Sequence, residues 1–286
     1  MRTPLLKRLS RQIRGRWRSK VLAKNGFAVL ADSKNGVFAV HPGDFHISRT
    51  LLERGEYDWA QITLLSTLID AQSRLIFAGA HIGSLLVPLV RAAGTSTILA
   101  YEPSPANFRL LAMNLSLNAI QGVMLKNAAL GAERGTIRFT ENSINTGNSR
   151  VAVSNGEIEV PVDTLDATVP SNWEAIDLMV MDIEGSEVAA MRGGRTILAR
   201  TKRLYVEFAP EQLREQGATV EEFSRLAADF FVSAYVIDER MTFIPAAEFG
   251  RYFRGLSGQR GLLRNLLFTQ DKQPDLSPDR AFPRRG

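Results

Sequence analysis

The sequence predicts an α/β protein: a doubly wound, mostly parallel sheet with an antiparallel last strand, preceded by a helical and hairpin extension. Three observations carry that expectation. From residue 75 onward, apolar runs of strand length alternate with helical segments, the order that builds a parallel sheet with helices on both faces. The runs Leu75–Ala78, Thr97–Tyr101, Ile176–Ile183 and Arg203–Phe208 are nearly continuous in apolar character, as strands covered on both faces are. The first of them enters Gly79-Ala80-His81-Ile82-Gly83, a glycine turn that leads a strand into a helix whose N-terminus faces a ligand.

Composition narrows the field. The 286 residues contain no cysteine, which excludes disulfides, zinc-thiolate sites and cysteine nucleophiles. His41, His46 and His81 lack the spacing of a histidine metal site. The net charge of +5 is unevenly placed, because residues 1–24 hold nine Lys or Arg and no acid. The remaining 26 bases face 30 acids, so a general nucleic-acid surface is not expected. No apolar run approaches the roughly 18 residues of a membrane-spanning helix, and the N-terminus has no signal-peptide core. A cytoplasmic location is expected.

In chain order, residues 4–23 read as a helix with Leu5, Leu9, Ile13, Trp17 and Val21 in steps of four among basic residues. It suits peripheral contact with an anionic membrane, or an arm packed on the body with its charges solvated. Phe27–Leu30 and Val37–Val40 flank an Asn35-Gly36 turn and predict a hairpin. Arg49–Arg54 and Tyr57–Ile69 read as helices, completing an extension over 1–70. The main domain, 71–270, adds helices near Ser84–Ala93, Pro105–Asn118 and Ser186–Leu198, a strand near Val123–Asn127, and hairpin segments between Gly135 and Pro161 around a polar loop, Asn142–Ser149. Helices at Glu211–Gln216 and Val220–Phe230 follow. Strand-like Phe231–Ile237, Met241–Ile244 and Asn265–Thr269 close it, the last too near its neighbours for a crossover helix and therefore antiparallel at the edge. The tail, 271–286, is rich in Pro and charge and reads as disordered.

The opening turn discriminates among nucleotides. A pyrophosphate-binding turn needs a glycine where this chain has His81, which disfavours a nicotinamide-dependent oxidoreductase. Glu102, at the end of the second strand, can accept hydrogen bonds from both hydroxyls of a ribose. S-adenosylmethionine has a ribose and no pyrophosphate, and fits both.

Five segments then occur in order: Phe77-Ala78-Gly79-Ala80-His81-Ile82-Gly83, Tyr101-Glu102-Pro103-Ser104-Pro105-Ala106-Asn107-Phe108, Asn114-Leu115-Ser116-Leu117-Asn118, Asn127-Ala128-Ala129-Leu130-Gly131 and Met181-Asp182-Ile183-Glu184-Gly185-Ser186-Glu187. Together, over about residues 57–269, they resemble the FkbM family of S-adenosylmethionine-dependent methyltransferases. The resemblance implies a class I methyltransferase (Rossmann-like) fold, S-adenosyl-L-methionine as cofactor, and O-methylation of a small-molecule or glycan hydroxyl acceptor. It places Gly79, Ala80, His81 and Gly83 around the methionine part of the cofactor, Glu102 and Pro103 at the ribose, and Asn127 and Ala128 beside the adenine. The chain departs from the pattern at Phe77, where such families place an acid that binds the cofactor's amino end. A phenylalanine cannot accept that hydrogen bond, so a catalytically degenerate binding or scaffold protein is the alternative.

Methyl transfer to oxygen needs alignment and a group to take the hydroxyl proton. Asp182 and Glu184 lie two apart at the end of an apolar strand and share a face. Glu187 opens the next helix, where an acid also suits the helix dipole. Asp182, Glu184 and Glu187 are the catalytic candidates, with Asp182 also counted toward the cofactor; Glu207 is a secondary candidate on the same rim. Hard cations accept such oxygens, but nothing in the sequence requires a metal.

Overall fold

The computed structural model describes residues 28–44, 46–94, 97–140, 150–151, 158–238 and 240–271. The basic arm, the polar loop 142–149 and the tail beyond Asp271 lie outside them. The extension supplies strands β1 (Val29–Ser33) and β2 (Gly36–Val40) and helices α1 (Ile47–Arg54) and α2 (Trp59–Ser66). The main domain continues with β3 (Leu75–Ala78), α3 (Leu86–Ala93), β4 (Ile98–Tyr101), α4 (Pro105–Leu117), β5 (Val123–Lys126), β6 (Ala129–Leu130), β7 (Gly135–Thr140), β8 (Arg150–Val151) and β9 (Ile158–Asp163). Then come α5 (Leu165–Thr168), β10 (Leu178–Met181), α6 (Glu187–Arg192), α7 (Arg195–Leu198), β11 (Arg203–Phe208), α8 (Pro210–Glu215), α9 (Val220–Phe230), β12 (Ser233–Val236), β13 (Thr242–Pro245), α10 (Phe249–Leu256) and β14 (Arg264–Thr269).

The main sheet has the order β13-β12-β14-β11-β10-β3-β4-β5. β11, β10, β3, β4 and β5 pair in parallel. Successive strand residues point to opposite faces, and the core divides accordingly. Ile76, Ala78, Met179, Met181, Leu204 and Val206 belong to one apolar cluster. Leu75, Phe77, Leu178, Val180 and Tyr205 belong to the other. This is the Rossmann-like class I methyltransferase arrangement, and it confirms the expected fold class.

One expectation needs correction. β14 is antiparallel, but it is not an edge: it enters between β11 and β12, and β13 forms the edge. The span between β13 and β14 is long enough after all, because it contains α10. That helix buries Phe249 and Phe253 completely, and Phe253 packs against Phe208, Phe223 and Phe268 at centroid distances of 5.0, 5.5 and 6.1 Å. Two aromatic anchors among Arg and Gly gave no recognisable helical stripe. The expected single helix over Ser186–Leu198 is also two, α6 and α7, separated at Gly193-Gly194. A Cβ at Gly193 would overlap the Gly131 carbonyl, which passes directly over this break.

The extension is fastened to the main domain by side chains that imitate a strand. Asn114, in the last turn of α4, and Asn118, which caps its C-terminus, are four residues apart. Asn118 accepts from the Val37 amide at 3.0 Å and donates to the Val37 carbonyl at 2.7 Å. Asn114 does the same for Ala39, at 2.7 and 3.1 Å, and also donates to the Ile82 carbonyl at 2.8 Å. The free edge of β2 is thereby satisfied without a partner strand. On the opposite flank, β6, β9, β7 and β8 form a separate four-stranded sheet.

Candidate active site

The carboxyl ends of β3, β4, β10 and β11 open on one cavity, as expected for a doubly wound sheet. After β3 the chain turns through Gly79 (φ +81), His81 (φ +51) and Gly83 (φ +87). The Gly79 and Ala80 amides both donate to the Tyr101 carbonyl, at 3.0 and 2.8 Å. A Cβ at Gly79 would overlap the backbone carbonyl oxygen of Asp182, so the turn needs glycine for close approach as well as for its dihedral. α3 begins only at Leu86, which leaves Pro88 in its first turn, where no donor is lost.

Glu102 braces this turn from the next strand. Its carboxylate accepts from the His81 amide at 2.8 Å and the Ser104 amide at 2.9 Å. It is 4% exposed, and burial pushes its carboxyl up to about 7 against the pull of those amides. Asn127 holds the same loop, donating to the carbonyls of Glu102 and Pro103 at 2.8 and 3.1 Å. Gly79, Ala80, His81, Glu102, Pro103 and Ala128 line the cavity, whereas Gly83 and Asn127 stand behind it.

The opposite wall is acidic. Carboxylate oxygens of Asp182, Glu184 and Glu207 lie within 4.8 Å of one another, close enough to share a proton or one cationic group. Asp182 is exposed to the cavity, and its carboxyl is raised to about 6 by desolvation and then by the charge of Asp58. Glu207 rises to about 9, through burial and then the charges of Asp182, Glu184, Glu187 and Asp58. Glu184 adopts φ +53 and accepts from the Gln212 side chain. Glu187 is turned away from the cavity: its Oε1 accepts from the amides of Ile183 and Gly185 at 3.2 and 3.3 Å.

The extension closes the site. Asn35, fully buried, accepts from the Tyr57 amide at 3.0 Å and donates to the carbonyls of Tyr57 at 2.8 Å and Ser84 at 3.0 Å. One side chain thus ties the hairpin turn to the cavity rim, where Tyr57 and Asp58 join the lining. Asp58 (φ +48), His81 and Glu184 all hold positive φ without being glycine, a cost sustained where surrounding structure imposes it and concentrated at functional sites.

Sequence reasoning missed Tyr57, Asp58 and Tyr205 among the lining residues. Tyr205 had a signal: it lies two positions before Glu207 in one strand and so shares its face. Tyr57 and Asp58 had none, because their place depends on how the extension docks. Phe77 is 2% exposed and presents an apolar wall to the cavity.

The chain is 28% identical over 145 residues to Methyltransferase 1 of Beauveria bassiana (strain ARSEF 2860), covering 42% of this chain and 58% of that protein. It is 28% identical over 153 residues to Methyltransferase sdnD of Sordaria araneosa, covering 42% and 59%. The match thus spans somewhat under three fifths of each relative's length. Among solved structures, TYW2 of M. jannaschii in complex with AdoMet aligns with a TM-score of 0.46 and 10% identity over 85% of both chains. RsmC, a 16S rRNA methyltransferase of T. thermophilus in complex with AdoMet and guanosine, aligns with a TM-score of 0.44 and 13% identity over 85% of this chain and 50% of that one. The sequence pattern of the methyltransferase FkbM domain matches residues 78–237, more than half of the chain, which belongs to that family.

Proposed function

We propose that the chain is an S-adenosylmethionine-dependent O-methyltransferase acting in the cytoplasm on a hydroxyl of a sugar, glycan or other small natural-product acceptor. The observation that carries this reading is the convergence on one cavity of the Gly79–Gly83 turn, Glu102 and the Asp182 carboxylate. The donor set fits the cofactor. Five carboxylates line the cavity, at positions 58, 102, 182, 184 and 207, with no Lys or Arg among the described lining residues, an environment suited to a ligand with a sulfonium and an ammonium. S-adenosylmethionine supplies a methyl group on a positively charged sulfur. Glu102 would hold the ribose and Ala128 the adenine, with Phe77 as an apolar wall beside them. Asp182, one strand over from Phe77, brings the acid that position 77 lacks.

Asp182 is also the base. With its carboxyl near 6 it is ionised at neutral pH and accepts the proton that leaves the acceptor oxygen as that oxygen gains the methyl group. Glu207 stands beside it, its carboxyl raised above the ordinary range by burial and the neighbouring acids. The acidic lining opposes phosphate-rich partners, which supports a small acceptor over a nucleic acid.

Calorimetry with S-adenosylmethionine tests the reading together with a screen of demethylated acceptors. Binding followed by transfer is expected, and Asp182→Asn slows transfer about 10²- to 10⁴-fold. In the wild type the rate falls as pH drops below about 6, because the base becomes protonated; the variant lacks that limb. An absence of binding at millimolar cofactor would favour the degenerate binding module that Phe77 suggests.

A further inference from the structure

The acceptor end of the cavity holds polar groups that the protein itself leaves unsatisfied. Tyr205 is 5% exposed and lines the cavity, yet its hydroxyl makes no hydrogen bond to another described residue. Burial, followed by the charges of Asp58, Asp182 and Glu207, holds that phenol well above its ordinary range. The carboxylates of Asp182 and Glu207 face the same space, also without a hydrogen bond from a described side chain. These groups open on the cavity and are free to bond whatever occupies it.

The geometry narrows what that is. Tyr57 and Asp58 come from the extension, Tyr205 and Glu207 from β11, and Asp182 from the end of β10, so three separate elements converge. Every ionisable side chain they bring is an acid or a phenol. The basic groups at hand are two histidines: His81, which lines the cavity, and His46, whose Nε2 lies 3.4 Å from the Tyr57 hydroxyl and which acts on Asp58. No described Lys or Arg lines the cavity. An anion here would meet several acids with no Lys or Arg among the described lining residues to pair it. A cation would satisfy the acids and meet the electron-rich faces of two tyrosines.

From this convergence we infer that the methyl acceptor is an amino-bearing alcohol, an amino sugar or amino polyol, whose ammonium sits among Asp58, Glu207, Tyr57 and Tyr205 while its hydroxyl faces Asp182. The inference rests on the methyltransferase reading and names the substrate class for the same site. It excludes acceptors that carry a carboxylate or phosphate next to the reacting hydroxyl.

The test is a binding panel on full-length protein saturated with S-adenosylhomocysteine, whose sulfur is uncharged, so that the only cofactor cation left is the ammonium held at Asp182. Calorimetry and thermal shift are read with glucosamine, ethanolamine and choline against N-acetylglucosamine, glycerol and glucuronate. The cationic probes are expected to bind at least about tenfold tighter than their neutral counterparts, with no shift from glucuronate. Glu207→Gln and Tyr205→Phe each reduce that preference to about twofold, and Tyr205→Phe does so while leaving S-adenosylhomocysteine binding in place. Equal binding of charged and neutral probes, binding of glucuronate, or no response to any cationic probe overturns the inference. Failure of S-adenosylhomocysteine itself to bind is a different result and counts against the methyltransferase reading.

Discussion

After β3 the chain turns through Gly79, His81 and Gly83, and after β10 it turns through Glu184 and Gly185. The two turns sit side by side on adjacent parallel strands. Each contains a glycine and a non-glycine residue at positive φ, and each is braced by a buried carboxylate that accepts two backbone amides. At the first turn that carboxylate is Glu102, 21 residues beyond His81 and facing the cavity. At the second it is Glu187, within the same turn and facing away. Burial raises both carboxyls to about 7. The same device therefore serves two ends. A brace borrowed from a neighbouring strand remains available to a ligand, whereas a brace made locally is used up in holding its own loop.

The sharpest way to break the comparison is at the glycines. Gly79→Ala forces a Cβ onto the Asp182 carbonyl at φ +81, and is expected to cost about 3–5 kcal/mol. In a thermal melt that lowers Tm by about 6–15 °C. Gly185→Ala meets the Gln212 carbonyl instead, on the short helix α8, and should cost less. A Gly79→Ala protein that melts like the wild type would show that the two turns are not packed as described.

Next in size is Glu102→Ala, which strands the His81 and Ser104 amides at about 1–3 kcal/mol each. It should weaken S-adenosylhomocysteine binding about 10- to 100-fold by calorimetry. Unchanged affinity would mean that Glu102 only braces, as Glu187 does.

The smallest effect separates charge from hydrogen bonding at the other brace. Glu187→Gln keeps both amide bonds through Oε1 and removes the ionisation. Because the folded-state carboxyl is raised from 4.5 to about 7, the stability linked to this group is complete below pH 4.5 and is lost as pH rises toward 7. The variant should therefore match the wild type near pH 4 and exceed it at pH 8 by up to about 3 kcal/mol. Denaturant midpoints at the two pH values measure this, and a gain at the acidic end instead would reverse the assigned shift.

Much of the site was legible because its signals are local. A continuous apolar strand that ends in Asp182, or one that ends in Glu102 before Pro103, announces a carboxylate at the cavity rim through neighbouring residues alone. Asn114 and Asn118 stood out as a motif, yet their work on β2 was not legible, since hydrogen bonds across 75 and 81 residues of sequence leave no periodicity. Glu187 had two sequence readings, and its orientation away from the cavity became visible only with the loop amides in place. α10 escaped because its stripe is two phenylalanines whose partners come from β11, α9 and β14.

By itself, the sequence determined the strand–helix alternation, the glycine turn and the acids that end each strand, because hydrophobic period and backbone sterics act over a few residues. Only the tertiary structure decided which carboxylates face the cavity and which are absorbed by backbone amides, and that Tyr57 and Asp58 complete the site. Those outcomes depend on which distant groups come within hydrogen-bonding and Coulombic range once the extension docks through Asn35, Asn114 and Asn118.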